Sequence, residues 1–165
     1  MVDTKLVIVR EMRGEDIEAL ADALNWPWMG IDRRWQELVA GYREMFVAVV
    51  DSRPVGVVSV NEREEHPGLL HLFALDVGEP LRNRGIGTQL IVHVEAEARR
   101  RGHAGVYLEV GINNNDARRL YERLGYTQDG RPLPNSWNRY DEEANFLEEV
   151  VDEVCRMIKR FDHDT

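Results

Sequence analysis

The sequence is poor in cysteine, in long apolar runs and in positive charge. Cys155 is the one cysteine among 165 residues, which excludes an internal disulfide and a zinc site built from several cysteines. No apolar stretch approaches the roughly 20 residues that cross a bilayer. The first dozen residues also carry the charges of Asp3, Lys5, Arg10 and Glu11, which is unlike a secretory leader. We therefore expect a cytoplasmic protein that does not associate with membranes.

Acidic residues outnumber basic ones, because 30 Asp and Glu stand against 21 Lys and Arg and give a net charge of −9. A chain of this sign is repelled by polyanions, so we expect no nucleic-acid partner. The length and the 43% share of hydrophobic residues favour one folded domain over residues 1–165. Residues 141–153 hold seven of the acids and no base, and they either attract a cationic ligand or form a solvated face.

The spacing of apolar residues predicts helices and strands in alternation. One predicted helix begins near Asp16, and further predicted helices cover residues 33–43, 85–101 and 116–124, with a break at residues 26–30. Predicted strands cover residues 4–12, 45–50, 55–60, 69–77, 106–112 and 137–140. A four-residue hairpin turn is predicted at residues 51–54, a loop at residues 129–135, and a strand or a helix at residues 150–161.

Two buried strands in the middle of the chain are predicted to run parallel. Residues 69–77 are almost continuously apolar, which is typical of a strand covered on both faces. An amphipathic helix follows, and residues 106–112 supply the next strand. This order favours a right-handed crossover between two parallel strands.

The segment Arg82-Asn83-Arg84-Gly85-Ile86-Gly87-Thr88 joins the first of these strands to the helix. Its glycines let the backbone approach a bulky anion, and the first helical turn offers N–H groups without partners. The segment lacks the lysine of a phosphate-binding P-loop and the third glycine of a dinucleotide fingerprint. It therefore indicates either an anion site or a structural turn.

A second motif lies further along the chain and reads Asn114-x-x-Ala117-x-x-Leu120-Tyr121-Glu122-x-Leu124-Gly125-Tyr126. Together with Arg82-x-x-Gly85-x-Gly87, it resembles the GNAT superfamily of CoA-dependent N-acetyltransferases. The resemblance is close over residues 69–126 and loose over the whole chain. It implies an α/β fold with a mixed, mostly antiparallel central sheet, two splayed parallel central strands, and helices on both faces.

The resemblance also implies acetyl-CoA as the co-substrate, lodged between the splayed strands. We expect no metal, because His66, His93, His103 and His163 show no ligand spacing with acids. Backbone groups near Leu75 and Val77 would pair with the pantetheine arm. The pyrophosphate would be held by Arg82, Arg84, Gly85, Ile86, Gly87 and Thr88. Asn114 matches a cofactor contact of the family and is equally suited to cap the helix that follows it.

Acetyl transfer to an amine needs a base and an acid, because only the free amine attacks a thioester and the departing thiolate gains a proton. Tyr121 matches the position of the acid in the family. His71 and Glu109 are the candidate bases, since His71 interrupts an apolar strand and Glu109 lies on the neighbouring one. At the position of His71 the histone-modifying members carry a glutamate, so direct proton transfer is in doubt and an ordered water is the alternative. Asp76 is interpreted as a strand-end residue.

The predicted function is N-acetyltransfer to a small-molecule or peptide amine by direct attack in a ternary complex. Trp28 and Trp137 are candidate walls of the acceptor cleft, as are Trp26 and Trp35, because aromatic rings can hold a cation. A homodimer is compatible with the sequence. The alternatives are a catalytically silent acyl-CoA-binding or regulatory module and a nucleotide-binding domain that uses the same glycine segment.

Overall fold

The computed structural model describes residues 6–26, 28–141, 143 and 145–162, without the side chains of residues 28, 29 and 31. A short 3-10 turn (Glu79–Leu81) lies between the fourth strand and the third helix. The other elements, in chain order, are β1 (Ile8–Glu11), α1 (Asp16–Ala23), α2 (Trp28–Val39), β2 (Glu44–Val50), β3 (Arg53–Glu62), β4 (Leu69–Val77), α3 (Ile86–Arg100), β5 (Gly105–Gly111), α4 (Asn115–Arg123), β6 (Thr127–Gln128), β7 (Leu133–Tyr140) and β8 (Phe146–Arg160).

The strands form one mixed sheet in the order β1-β2-β3-β4-β5-β8-β6, with β7 paired to β8. β4 and β5 pair in parallel, as the sequence predicted, and the other paired strands are antiparallel. The parallel register runs only from Leu69↔Gly105 to His71↔Tyr107. Beyond that point both strands continue, to Val77 and Gly111, without pairing to each other. The sheet is therefore split in its middle.

Helices cover both faces of the sheet. On one face, α3 buries Leu90, Ile91 and Val94 in a core shared with β2 to β5 and β8. On the other face, α1 packs Leu20 against β2 and β3 in a second core that includes Val47. Burial of such side chains contributes roughly 1.5–3 kcal/mol each to folding. Among the residues described, no helix is long and apolar enough to cross a membrane.

β4 carries a bulge at the level where the sheet splits. Ala74 has φ 52°, and the register of β4 against β3 shifts between Val57 and Ser59. A non-glycine residue in this region of backbone space is strained by about 1 kcal/mol or more and is found mostly at functional sites. The bulge turns the backbone of β4 at the edge of the split.

The β2–β3 hairpin turns over two residues, so the predicted four-residue turn was wrong. Asp51 and Ser52 both have positive φ, 48° and 65°, which is the turn geometry whose twist matches that of the flanking strands. Arg53 and Pro54 belong to β3. Pro54 is tolerated there because it lies beside a register shift in the ladder.

The predicted helix over residues 33–43 was wrong at both ends, because α2 runs from Trp28 to Val39. Gly41 stops the helix, since it has φ 82° and donates its N–H to the carbonyl of Leu38 while Tyr42 bonds back to Glu37. The predicted break at residues 26–30 was wrong in part, because α2 already begins at Trp28.

β7 and β8 form a long hairpin in which Leu133 pairs with Val154 and Tyr140 with Phe146. Residues 150–161 are strand rather than helix, and β8 begins earlier than predicted, at Phe146. The predicted loop at residues 129–135 is partly strand, because β7 begins at Leu133. β1 is shorter than predicted, and the first residues of its predicted range lie outside the described part.

Candidate active site

The start of helix α3 forms a site suited to an anion. The N–H groups of Ile86, Gly87 and Thr88 make no backbone hydrogen bond within the described part of the chain, and Gln89 is the first to bond back, to the carbonyl of Gly85 at 3.1 Å. No side chain caps this end. Unpaired N–H groups and the helix dipole, equivalent to about half a positive charge, together favour a negative ligand.

The two glycines of this segment serve different purposes. Gly85 has φ 83°, which a side chain would strain. Gly87 is helical, and a Cβ placed on it would meet no protein atom within 4 Å. Glycine in a helix costs roughly 0.5–1 kcal/mol relative to alanine, so the fold itself gains nothing from Gly87. A ligand that approaches the backbone closely would explain it, and the segment therefore fits a pyrophosphate.

A cavity of about 740 Å³ opens from this helix start toward α4. That volume lies in the range of small-molecule and cofactor sites. Its lining includes most of the predicted cofactor residues, namely Leu75, Val77, Arg82, Gly85, Ile86, Gly87, Thr88 and Asn114. Arg84 is the exception, because it is exposed and does not line the cavity.

Arg82 turns back toward the end of β4. Its Nε donates to the carbonyl of Val77 at 2.9 Å, and its Nη2 lies 3.4 Å from Asp76 Oδ1. The side chain keeps 54% of its surface exposed, so its remaining N–H groups face the solvent beside the cavity. Arg82 thus supports the backbone of β4 while it adds positive charge near the helix start.

A second cavity, of about 330 Å³, lies in the gap between β4 and β5 and shares Leu75, Asn114 and Leu120 with the first. The bulge residue Ala74 lines one side of it, and Tyr121 of α4 lines the other. The two cavities therefore form one cleft that runs from the start of α3 to the Tyr121 side chain.

Tyr121 is buried, and burial raises the pKa of its hydroxyl to about 12. The phenol therefore carries its proton at neutral pH and can donate it. Its ring packs edge-on against Tyr126, with ring centroids 5.9 Å apart. No hydrogen bond to another described residue holds the hydroxyl, which leaves it available to a ligand in the cleft.

Asn114 caps helix α4, because its Oδ1 accepts a hydrogen bond from the N–H of Ala117 at 3.2 Å. A cap of this kind contributes about 1 kcal/mol. Asn114 also lines both cavities, so its Nδ2 side faces the cleft while its oxygen serves the helix. The two roles considered for Asn114 are compatible in this geometry.

His71 lies at the last pair before the sheet splits and is 3% exposed. Its Nδ1 is 2.9 Å from the Oδ1 of Asn61. Because a carboxamide oxygen only accepts, Nδ1 carries the proton and Nε2 keeps its lone pair. Burial, together with the charges of Arg63, His66 and Arg156, lowers the pKa of His71 to about 3. The ring is therefore neutral near pH 7 and a weak base.

Glu109 lines the cavity between the split strands, whereas His71 does not. Its side chain is partly exposed and lies 3.6 Å from Nη2 of Arg156, its partner across β5 and β8. Of the two candidate bases, Glu109 is the one that the structure brings to the cleft.

Of the described tryptophans, Trp26 and Trp35 pack against the same core, and Trp137 lies on the β7–β8 hairpin. Trp137 is 49% exposed on the hairpin and lines neither cavity, and the side chain of Trp28 lies outside the described residues. Trp35 packs in the core under α1 and α2. Trp26 donates its Nε1–H to Asp76 at 2.9 Å, which links it to the cleft.

Sequence reasoning missed the bulge at Ala74 and two arginines near β4, Arg34 and Arg43. Arg43 lies over the ring of Phe73, a cavity residue, and Arg34 lies over the ring of Trp26. Neither arginine belongs to a motif, so no local signal pointed to them. Among the residues described, no group of three or more His, Cys, Asp and Glu could hold a metal ion.

Comparison with known proteins gives matches in sequence and in structure. The model of the acetyltransferase (GNAT) family matches residues 10–126. An acetyltransferase of Agrobacterium fabrum is 43% identical over 69 residues, which cover 42% of this chain and 49% of that protein. An N-alpha-acetyltransferase of Sulfurisphaera tokodaii is 30% identical over 122 residues, which cover 68% of this chain and 71% of that protein.

The fold is similar to solved structures at low sequence identity. The ribosomal-protein-S18-alanine N-acetyltransferase of Escherichia coli superposes with a TM-score of 0.69 at 16% identity, over 97% of each chain. An N-acetyltransferase of Staphylococcus aureus gives a TM-score of 0.70 at 16% identity, over 93% of this chain and 98% of that one. The chain spans less than half of the Agrobacterium relative and of two further ones, from Methanocaldococcus jannaschii and Xenopus laevis.

Proposed function

Because the chain belongs to the acetyltransferase (GNAT) family, we propose that it transfers the acetyl group of acetyl-CoA to a primary amine. One observation carries the proposal, namely the continuous cleft from the unpaired N–H groups of α3 to the Tyr121 hydroxyl. We further propose that residues 1–165 act as one N-acetyltransferase domain, which the single sheet from β1 to β8 supports.

Acetyl-CoA would supply an activated acetyl group as a thioester, and this chain would bind and orient it. The N–H groups of Ile86, Gly87 and Thr88 are suited to its pyrophosphate, which carries negative charge. Beyond His71 the edge of β4 toward β5 is unpaired, and it offers backbone groups near Leu75 to the amides of the pantetheine arm. At Val77 the N–H is bonded to Asp76 Oδ1 and the carbonyl accepts from Arg82 Nε, so pairing with the pantetheine arm there would replace these bonds. Binding would thus depend mainly on backbone atoms.

The chemistry needs one bond to form and one to break. The amine nitrogen attacks the thioester carbonyl, the new N–C bond forms, and the C–S bond breaks as the sulfur leaves as a thiolate. Tyr121 is suited to donate a hydrogen bond to the leaving sulfur, because its hydroxyl keeps its proton at neutral pH and is open to the cleft. The proton that the nitrogen sheds as the amide forms replaces the one that passes from the phenol to the thiolate, so Tyr121 ends the step protonated. The backbone at the Ala74 bulge is suited to stabilise the charge on the carbonyl oxygen.

The amine must lose a proton before it attacks. Glu109 is the favoured acceptor of that proton, directly or through water, since it lines the cleft and is partly solvated. His71 is the weaker base, because a group with a pKa of about 3 takes a proton from an ammonium only at a large energetic cost. Its free Nε2 can instead orient a water molecule.

The test is thiol release from acetyl-CoA with a panel of primary amines, compared with the rate without enzyme. Turnover with at least one amine is the expected result. Acetyl-CoA binding without turnover on any amine would favour a silent acyl-CoA-binding module. Stabilisation of the fold by ATP or ADP but not by acetyl-CoA would favour a nucleotide-binding domain.

A further inference from the structure

Arg43 packs on a residue of the cleft from the face of the sheet that α1 and α2 cover. Its guanidinium carbon is 4.8 Å from the ring centroid of Phe73, and Phe73 lines the cavity between β4 and β5. Its Nη1 donates to Ser59 on β3 at 3.1 Å. The side chain is only 13% exposed, so a positive charge is held one side chain away from the smaller cavity.

Arg34 approaches the same cleft from helix α2. Its guanidinium carbon lies 4.0 Å from the ring centroid of Trp26, whose Nε1 is bonded to Asp76. Asp76 lines the larger cavity. Phe73 and Asp76 flank the bulge at Ala74, so Arg43 is connected through Phe73, and Arg34 through Trp26, to the segment of β4 at which the sheet opens. Neither arginine itself lines the two cavities of the cleft.

Positive charge exceeds negative charge at this place. Glu37 is bonded to Arg43 Nη2 at 2.5 Å and also lies 3.6 Å from the exposed Arg33, so it neutralises one cation. Arg34 has no carboxylate within 4.0 Å among the described residues, and its Nε is buried without a hydrogen-bond partner there. One of its five N–H donors is used, by the carbonyl of Gly30.

The fold keeps these charges at a cost. Burial lowers the pKa of Arg34, and the neighbouring charges of Arg43 and Arg33 lower it further, while Glu37 and Asp76 offset part of this. Burial also lowers the pKa of Arg43, against the opposing effect of Glu37. The contact with the ring of Trp26 stabilises the Arg34 cation but leaves N–H groups on its edge free to donate. A bound anion would relieve both the burial of charge and the repulsion.

We propose that Arg34 and Arg43 bind an anionic group of the acceptor, so that the substrate is an amine that also carries a carboxylate, as an amino acid does. The inference rests on the proposed acetyltransfer and names its substrate class. A carboxylate is favoured because its two oxygens match the paired N–H groups of a guanidinium.

The acidic stretch that could attract a polycation is less well placed to choose the substrate. Its described acids lie on the exposed hairpin, where Glu148 pairs with Arg139, and solvent and salt screen such charges. Arg34 and Arg43 are shielded from solvent beside the cleft, where a charge acts more strongly. A polyamine would meet repulsion there.

The first experiment compares matched amines that differ in one carboxylate. Phenylalanine is compared with phenethylamine and lysine with cadaverine, and phosphoethanolamine with ethanolamine tests phosphate as the source of the anion. We expect the carboxylate to raise kcat/KM by about tenfold or more, since a charge-assisted hydrogen bond contributes roughly 1.5–3 kcal/mol. Equal kcat/KM within each pair, or a preference for phosphoethanolamine over the amino acids, would overturn the inference.

Variants connect the preference to the two arginines. Arg34→Gln and Arg43→Gln should each reduce the ratio of kcat/KM within a pair by about tenfold, because each removes a charged donor. Arg33→Gln is the matched control, since Arg33 is 69% exposed and lies on the same helix, and it should change the ratio by less than about twofold. Where Arg43→Gln unfolds the protein, Arg43→Gln combined with Glu37→Gln removes the ion pair as a unit.

A binding measurement separates this inference from the proposed function. N-acetylphenylalanine and N-acetylphenethylamine are titrated into the wild-type chain and Arg34→Gln by calorimetry, which needs no turnover. We expect tighter binding of the carboxylate compound to the wild type and loss of that difference in the variant. Equal affinities of the two compounds would overturn the carboxylate assignment, even if the chain acetylates amines. If the affinities differ as expected but no amine is acetylated, only the proposed acetyltransfer is refuted.

Discussion

The two sides of the cleft present different kinds of group to a ligand. On the side of α3, the cavity is lined by the backbone N–H groups of Ile86, Gly87 and Thr88. A ligand can reach these groups because Gly87 carries no side chain. On the side of α1 and α2, the charged side chains of Arg34 and Arg43 are held by aromatic rings. A backbone site is altered by adding atoms, whereas a side-chain site is altered by removing a charge.

The largest effect is expected from a side chain placed at Gly87. Gly87→Leu should weaken the affinity for CoA by about 100-fold, because it fills the space next to the unpaired N–H groups that hold the pyrophosphate. Calorimetric titration measures this. Gly87→Ala is the control, since it should raise the free energy of unfolding by about 0.5 kcal/mol while it still weakens CoA binding. Unchanged affinity in Gly87→Leu would contradict a backbone site.

The second effect concerns the acid. Tyr121→Phe should lower kcat by about tenfold or more and leave the affinity for CoA nearly unchanged, because only the proton donor is removed. Steady-state kinetics on the best amine, with CoA titration beside it, measures both. Tyr126→Phe is a matched control whose lost hydroxyl bonds to Glu95 at 3.1 Å, so it should cost about 1 kcal/mol of stability and little kcat. Equal kcat in wild type and Tyr121→Phe would remove Tyr121 from the mechanism.

The third effect is a pH dependence from His71. The folded chain holds the pKa of His71 at about 3, below the value of about 6.5 expected when unfolded, so the unfolded state binds the extra proton between these values. The stability from the neutral ring is therefore complete above about pH 6.5 and is lost as the pH falls, by up to about 1.4 kcal/mol per pH unit.

Urea unfolding at several pH values tests this, with His71→Gln as the comparison. The variant should lose less stability than the wild type between pH 6.5 and pH 4, since it lacks the titrating ring. Parallel curves for the two proteins would mean that His71 titrates normally. The wild-type kcat should also lack an inflection near pH 6.5 from this residue.

The smallest effect is expected at the hairpin, beyond both sides of the cleft. Trp137 is half exposed on β7, where it pairs with Val150. Trp137→Ala should change the free energy of unfolding by less than about 0.5–1 kcal/mol, as for other surface changes. If Trp137 is a wall of the acceptor cleft, KM for the amine rises a few-fold while KM for acetyl-CoA stays constant. Unchanged KM for every tested amine would remove it from the acceptor site.

The side of the cleft that the sequence predicted well is the one that depends on local patterns. Strand β4 was predicted with its observed bounds, because nine apolar-rich residues end before a glycine and leave little ambiguity. The start of α3 was predicted from Gly85 and Gly87, whose positions report backbone geometry directly. The family resemblance lies in the same region and was confirmed by the family match over residues 10–126.

The other side could not be predicted, because its residues meet only after folding. Arg43 and Phe73 come from distant parts of the chain, and no spacing rule connects them. The bulge at Ala74 arises from the pairing of β4 with β3, and an alanine at this position does not predict a bulge. The end of α2, by contrast, could have been predicted from Gly41. The predicted helix continued to residue 43 because Tyr42 fits the apolar spacing of the helix.

Amide NMR during a titration with acetyl-CoA shows which backbone groups hold the ligand. The amide signals of Ile86, Gly87 and Thr88 should shift most, together with those of Leu75 and Val77. Saturable shifts confined to other parts of the chain, or no shifts at millimolar acetyl-CoA, would refute acetyl-CoA binding at the start of α3.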